Sequence, residues 1–388
     1  MFPLSLNRRL LFVSCSGWRS ASNLAPKTDV MSSATASIKD LLQIAVERGA
    51  SDLHFVVGHP PILRVHGRMK TLDEPVITQE TAESELLPLC DTNAATRFRE
   101  SRNADFALQL PINDVQQRFR VNYFSSDGDI GACFRIIPSE IPDLEWTGFP
   151  YELAERLVGF RNGLVLVAGV TGAGKTTSLA MLIDMLNQQG GCRIITVEEP
   201  IEYIHGKYRN SVVTQREVGQ DVASFADGLK YGLRQDPDVL LVGEVRDRET
   251  AQLALSAAET GHLVLSTLHT RDAKGAVSRL TDFFPEGIQA EIRSQISLSL
   301  RAVVSQHLLP GIDDDSKREL VMEIMFNSFP IASGIRMGKF ETIDNNIQTG
   351  RAAGMQSLDD SVMSLWKKKK ITRATAEHYV SDPGLLDW

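Results

Sequence analysis

Apolar and polar positions change their period along the chain, and each change marks an element. From Ile38 to Arg48, IKDLLQIAVER sets Leu41, Leu42 and Ala45 on one face at helical spacing, and Gly49 ends the run. The stretches SDLHFVV, PILRVHGRMK, FRVNYFSS and IGACFRIIP then read as strands separated by turns, with Gly128 between the last two. Together they predict an α+β domain over 36–138. Three prolines in PSEIPDLEWTGFP predict a linker over 139–150. From Tyr151 the apolar runs LVLVAG, RIITVEE, VLLVGEV and HLVLSTL alternate with helical patterns, which predicts a mostly parallel sheet covered on both faces over 151–310. Beyond Pro310 the pattern predicts a mainly helical region, 311–388, with the lysines 367–370 as a solvated patch.

Composition narrows the partners. At 388 residues and 43% hydrophobic content the chain can bury a substantial core. Its net charge of −8, with no basic and aromatic stripe, argues against nucleic-acid binding. Cys15, Cys90, Cys133 and Cys192 are scattered with no CxxC pair, so neither a disulfide framework nor a zinc cluster is indicated. No run reaches the roughly 18 apolar residues of a membrane span. Residues 1–35 carry Arg8 and Arg9 before a short apolar patch and almost no acid. They read either as a disordered or misassigned leader, with Met31 an alternative start, or as a targeting segment.

The chemistry concentrates between a strand and a helix. Gly169-Val-Thr-Gly-Ala-Gly-Lys-Thr176 fits the G-x-x-x-x-G-K-[ST] pattern of a phosphate-binding loop and lies between an apolar strand and a helical run. In such a loop Gly169, Thr171, Gly172, Ala173 and Gly174 supply backbone curvature and N–H groups for phosphate oxygens. Lys175 reaches the β and γ phosphates, and the Thr176 hydroxyl holds Mg²⁺. Thr177 serves as a further contact or as packing. Two acidic strand ends accompany the loop: RIITVEEPIEY ends in Glu198 and Glu199, and DVLLVGEVRD delivers Glu244. Ligands of an open parallel sheet lie beyond these ends, so Glu198, a candidate metal ligand, and Glu244, in the place of a Walker-B acid, are candidates for managing metal and water. Glu199 and Glu202 stand equally for chemistry or structure. His269 follows a third apolar strand as a γ-phosphate sensor or intersubunit relay, whereas His262, at that strand's start, reads as structural.

These blocks resemble the secretion-superfamily ATPases, specifically the type IV pilus retraction ATPases that power twitching motility. The resemblance rests on ERGASDLHFVVGHPPILRVHG (47–67), RFRVN (118–122), FRIIP (134–138), GVTGAGKTT (169–177), ITVEEPIEY (195–203), LRQDPDVLLVGEVRD (233–247), TGHLVLSTLHT (260–270) and IQTGRAAGMQSLDD (347–360). It spans about residues 36 to 385. It implies an α/β chain: a RecA-like P-loop ATPase core with an N-terminal α+β PAS-like domain and a helical C-terminal region. It also implies a homo-hexamer that hydrolyses ATP with Mg²⁺ and acts at the inner membrane from the cytoplasmic side on the pilus platform protein, alone or beside a paralogous pilus ATPase. By position it assigns Lys175 and Thr176 to Walker A, Glu198 to the acidic box, Glu244 to Walker B and His269 to the histidine box. Arg118, Arg120 and Arg135 match N-terminal-domain arginines that reach the phosphates.

Three positions depart from the family pattern. Glu198-Glu199-Pro200 stands where Glu-Asp-Pro is usual, and YFSSDGDIG lacks an arginine commonly found after the matching strand. PIASGIRMGK (330–339) replaces the retraction signature Ala-Ile-Arg-Asn-Leu-Ile-Arg-Glu and keeps only the character of Ile331, Ile335 and Arg336. An accessory retraction ATPase is the nearest alternative. A secretion ATPase would commonly add a four-cysteine zinc insertion, a DNA translocase a strand-binding stripe, and a non-hydrolysing regulatory subunit would not need Lys175, Glu198 and Glu244 together.

Overall fold

The computed structural model describes residues 36–387 except 66, 114, 139, 208, 209 and 314–316; the leader expected over 1–35 lies outside the described residues. Among them the strands are β1 Asp52–Phe55, β2 Ile62–Val65, β3 Arg68–Thr71, β4 Asn103–Ile112, β5 Val115–Ser126, β6 Asp129–Ile137, β7 Gly163–Ala168, β8 Arg193–Glu198, β9 Val212–Glu217, β10 Val239–Val242, β11 Leu263–Leu268, β12 Leu300–Leu309 and β13 Glu319–Phe326.

β1 to β6 form an antiparallel sheet in the order β3-β2-β1-β6-β5-β4. One face buries Leu53, Phe55, Phe119, Val121, Tyr123 and Phe134 beneath helix Ile38–Glu47, whose Leu41, Leu42 and Ala45 are fully buried. Ser37 and Asp40 form a reciprocal capping box that starts this helix. Each such leucine contributes about 1.5–3 kcal/mol through burial. The opposite face of β5 carries the half-exposed Arg118, Arg120 and Asn122, so strand alternation alone turns the arginines away from this core.

The second sheet runs β13-β12-β7-β11-β10-β8-β9, parallel throughout except for the β12–β13 pair. Every residue of β7, β10 and β11 is buried, which is the physical meaning of their unbroken apolar runs. The expected linker contains a short helix, Leu144–Thr147, capped by Asp143. β13 differs from the expectation of a mainly helical region after 310. It pairs with β12 from Ala302–Phe326 to Leu309–Glu319, so the sheet continues past that boundary and the helices resume at Phe329–Met337. The run ELVMEIMF has six of its eight residues buried and its two glutamates four apart, a pattern that periodicity cannot separate from a buried helix. No helix among the described residues is long and apolar enough to cross a membrane.

Candidate nucleotide site

β7 delivers the chain to the glycine-rich loop, and helix Lys175–Gln189 leaves it. A Cβ on Gly169 would lie 2.6 Å from the carbonyl oxygen of Gln306 in β12, so only glycine permits the close approach of loop and strand. Gly174 caps the helix in the left-handed region, at φ +87°. Ala173 is buried, while Thr171, Gly172 and Thr176 are exposed where the first helical N–H groups need an acceptor. Lys175 folds back over the loop: its Nζ donates to the Gly169 oxygen at 2.8 Å and the Val170 oxygen at 3.2 Å, and lies 3.5 Å from His269 Nδ1. Burial pushes its pKa down, opposed by the charges of Glu244 and Glu202. An ammonium buried on carbonyls beside open N–H groups and an exposed hydroxyl is a donor set that fits a polyphosphate with a divalent cation.

Glu244 lies two residues beyond β10, and His269 directly follows β11. Because β7, β11 and β10 are parallel neighbours, all three strands deliver their residues to one edge of the sheet. Glu244 Oε1 is 3.3 Å from His269 Nε2, and its Oε2 accepts from Arg246 Nε at 2.9 Å. Arg246 also binds Glu199, on the loop that follows β8. Glu244, Arg246, His269 and Arg279 line an open recess of about 330 Å³ floored by Leu268 and Phe283.

Glu198 ends β8 with only 8% of its surface exposed. Both of its side-chain hydrogen bonds fall on Oε1, from Thr196 Oγ1 at 2.6 Å and Gln215 Nε2 at 3.1 Å. Burial pushes its pKa up to about 7, against the lowering effect of those hydrogen bonds. With no cation beside it, burial therefore favours its protonated form below neutral pH. Thr177 is committed within the protein, with its Oγ1 2.9 Å from the Tyr203 hydroxyl.

The three arginines divide. Arg118 Nη2 donates to the Ile201 oxygen at 2.8 Å. Its Nε is buried without an acceptor, and burial lowers its pKa against the charges of Glu217 and Glu198. Arg120 approaches Glu202 at 4.0 Å. Arg135 faces Arg120 across the β5–β6 pair, but its Nε is tied to Asp52 Oδ1 at 2.9 Å. The structure thus brings Lys175, Glu244 and His269 into contact, places Arg118 and Arg120 against the acidic loop, and keeps Arg135 on its own sheet. His262 stays at the far end of β11, its Nδ1 3.0 Å from the Ala257 oxygen.

Sequence reading missed Arg246, Tyr203, Gln215 and Glu217. Arg246 could have been found two residues after Glu244, whereas β9 carries no motif that marks its side chains.

Residues 28–373 match the family model for type II/IV secretion system proteins. The chain is 39% identical over 346 residues to the type IV pilus retraction ATPase PilT of Pseudomonas aeruginosa, covering 89% of this chain and 98% of that one. It is 37% identical over 332 residues to the type IV pilus ATPase PilU of the same organism, covering 86% and 85%. The crystal structure of the pilus retraction motor PilT with bound ADP superposes with a TM-score of 0.79 at 37% identity, over 91% of this chain and 99% of that one. The mixed α/β core, with the helices that follow it, is consistent with a RecA-like P-loop ATPase. A phosphate loop, a strand-end glutamate and a neighbouring histidine on one sheet edge, matched over nearly the full length of these relatives, place the chain in the type II/IV secretion system protein family, as a secretion ATPase of the type IV pilus retraction group.

Proposed function

We propose that this protein is a homo-hexameric motor that hydrolyses ATP to ADP and phosphate and uses the change in domain arrangement to drive type IV pilus retraction. The observation that carries the reading is the convergence of Lys175, Glu244 and His269 beyond three neighbouring parallel strands. In this reading 36–138 is a PAS-like domain, 139–150 a linker, and the RecA-like core expected over 151–310 runs on to the end of β13 at Phe326, with the helices from Phe329 as its C-terminal extension. The Gly169–Thr176 loop cradles the phosphates, and Lys175 exchanges its carbonyl partners for phosphate oxygens. Thr176 and Glu198 would hold Mg²⁺, which when bound neutralises charge on the transferring phosphoryl group. Glu244 orients the attacking water and accepts its proton; His269, touching both Glu244 and Lys175, senses the γ-phosphate. Arg118 and Arg120, which meet the acidic loop at Ile201 and Glu202, would absorb charge on the transferring phosphoryl group in the transition state. Arg135 would join them only after leaving Asp52. ATP and ADP shift the domain arrangement to the extent that they contact these groups differently.

The partner in this reading is the platform protein of the pilus at the inner membrane, approached from the cytoplasm, with no role for nucleic acid. The departures within PIASGIRMGK favour a second reading, an accessory ATPase working beside a paralogue.

Steady-state Mg²⁺-ATPase activity of the purified oligomer tests the motor, with Glu244→Gln as control and single-stranded DNA added. The expected result is turnover that falls by about 10²–10³-fold in Glu244→Gln and ignores DNA. Full turnover in the variant would remove Glu244 from its role, and stimulation by DNA would point to a translocase. Twitching by a strain in which this chain is the sole retraction ATPase separates the principal from the accessory role.

A further inference from the structure

β9 is an edge strand of the second sheet, and nothing in its sequence, VVTQRE, marks a function. Two of its side chains, Gln215 and Glu217, are nonetheless spaced to share one face, and that face grips the loop following Glu198. Gln215 Nε2 donates to Glu198 Oε1 at 3.1 Å and to the Tyr203 oxygen at 2.8 Å, while its Oε1 accepts from His205 N at 3.1 Å. Glu217 Oε2 accepts the backbone N–H of Ile201 at 3.0 Å in a buried setting, and the carbonyl of that same residue accepts from Arg118 at 2.8 Å. Both polar groups of one peptide residue are therefore held, one by a carboxylate from β9 and the other by a guanidinium from β5.

Glu217 is 6% exposed, and its own N–H is fixed by Asp221 Oδ2 at 2.8 Å. A carboxylate out of water needs a charge or strong donors to repay its desolvation. Burial pushes the Glu217 carboxyl above its ordinary range, and the Ile201 N–H and the charge of Arg118 work against that rise. The loop held this way carries Glu202, whose charge acts on Lys175, and Tyr203, whose hydroxyl meets Thr177 in the first turn of the phosphate-loop helix.

We propose that Glu217 is a positioning residue for ATP hydrolysis: its carboxylate ties Ile201 to β9 and, with Arg118 on the other side, sets the acidic loop 199–205 opposite the phosphate loop. It touches no reacting atom, and its effect reaches the site through Ile201 and Arg118. The inference rests on the proposed ATPase reading only for its kinetic consequence, since the clamp itself is a structural statement.

Two variants separate the parts. Glu217→Gln keeps an acceptor for the Ile201 N–H and removes the charge facing Arg118; Glu217→Ala removes both. Turnover is expected to fall about tenfold in Glu217→Gln and about 100-fold in Glu217→Ala, because small displacements of positioning groups cost turnover steeply. The affinity for a fluorescent ATP analogue should stay within about threefold of wild type, since the loop built from Gly169 to Thr176 is untouched. Hydrogen exchange of the 199–206 peptide, followed without nucleotide, should accelerate at least about tenfold in Glu217→Ala while peptides of β7 and β11 stay protected.

Turnover of folded Glu217→Ala within twofold of wild type would overturn the positioning role. Unchanged exchange over 199–206 would overturn the clamp, and so would losses of turnover, affinity and protection in parallel across the core. A wild-type oligomer without ATPase activity would sink the proposed function instead, and the exchange experiment would still decide the clamp.

Discussion

The two loops that face the phosphate position are built on opposite principles. The glycine-rich loop holds its shape through its own backbone: Gly174 takes a left-handed turn, and Lys175 bonds to carbonyls five and six residues earlier. The acidic loop after β8 is shaped by distant side chains. Gln215 and Glu217 reach it from β9, Arg118 from the other sheet, and Arg246 from beyond β10. A self-contained loop can be written in eight consecutive residues. The other exists only once four separate segments have come together, which makes it the part able to respond when the sheets move.

The sharpest way to break this contrast is at Lys175. Lys175→Ala removes the cation that holds the first loop and meets the nucleotide, and we expect turnover to fall at least about 10³-fold. Loss of binding to a fluorescent ATP analogue would accompany it, with little change in Tm; retained turnover would mean that the loop is not the phosphate site.

Next comes the backbone itself. Gly169→Ala forces a side chain into φ +149° and a Cβ to 2.6 Å from the Gln306 oxygen. The expected cost is about 2–4 kcal/mol, read by chemical denaturation. A neutral result would show that β12 yields readily and that the loop is less self-contained than drawn.

The acidic loop should show itself in pH dependence. Glu198 has a folded-state pKa raised to about 7 from an ordinary 4.5, so between these values the folded chain holds more protons than the unfolded chain. Stability is then fullest below about pH 4.5 as far as this group is concerned, and declines as pH rises through 7. The contribution lost is roughly 3–4 kcal/mol, and Glu198→Gln should flatten that part of the stability profile. An identical stability profile in Glu198→Gln would show that the carboxylate does not titrate in this window.

The smallest effect is expected at the contact between the loops. Tyr203→Phe deletes one hydrogen bond to Thr177, worth about 1 kcal/mol, and should lower kcat by no more than about threefold. A large loss would make this contact part of the chemistry.

Legibility followed the same division. The helix at Ile38, the strands β1, β2, β5, β6, β7, β8, β10 and β11, and the phosphate loop all announce themselves in local pattern. β4 lies outside the strands expected above although its pattern is legible: NADFALQLPI sets Ala104, Phe106, Leu108, Leu110 and Ile112 at alternate positions, and Ala104, Phe106 and Ile112 are buried. β13 falls inside the region expected to be helical, because a strand buried on both faces has no period of its own. At the site, Glu244 and His269 were legible as strand ends. Their 3.3 Å contact was not, because it depends on the strand order β7-β11-β10.

What the chain of residues settles unaided is whatever a short stretch can enforce through its own backbone and spacing. That covers the left-handed glycine, the lysine returning to nearby carbonyls, the amphipathic face of a helix and the apolar strands bound for a covered sheet. Tertiary structure alone decided that Arg118 and Glu217 would hold the two ends of Ile201, that Arg135 would turn to Asp52, and that Glu198 would be buried deeply enough to titrate near neutrality. These outcomes depend on which distant charges share a desolvated space, and neither charge nor burial of that kind is a property of any segment by itself.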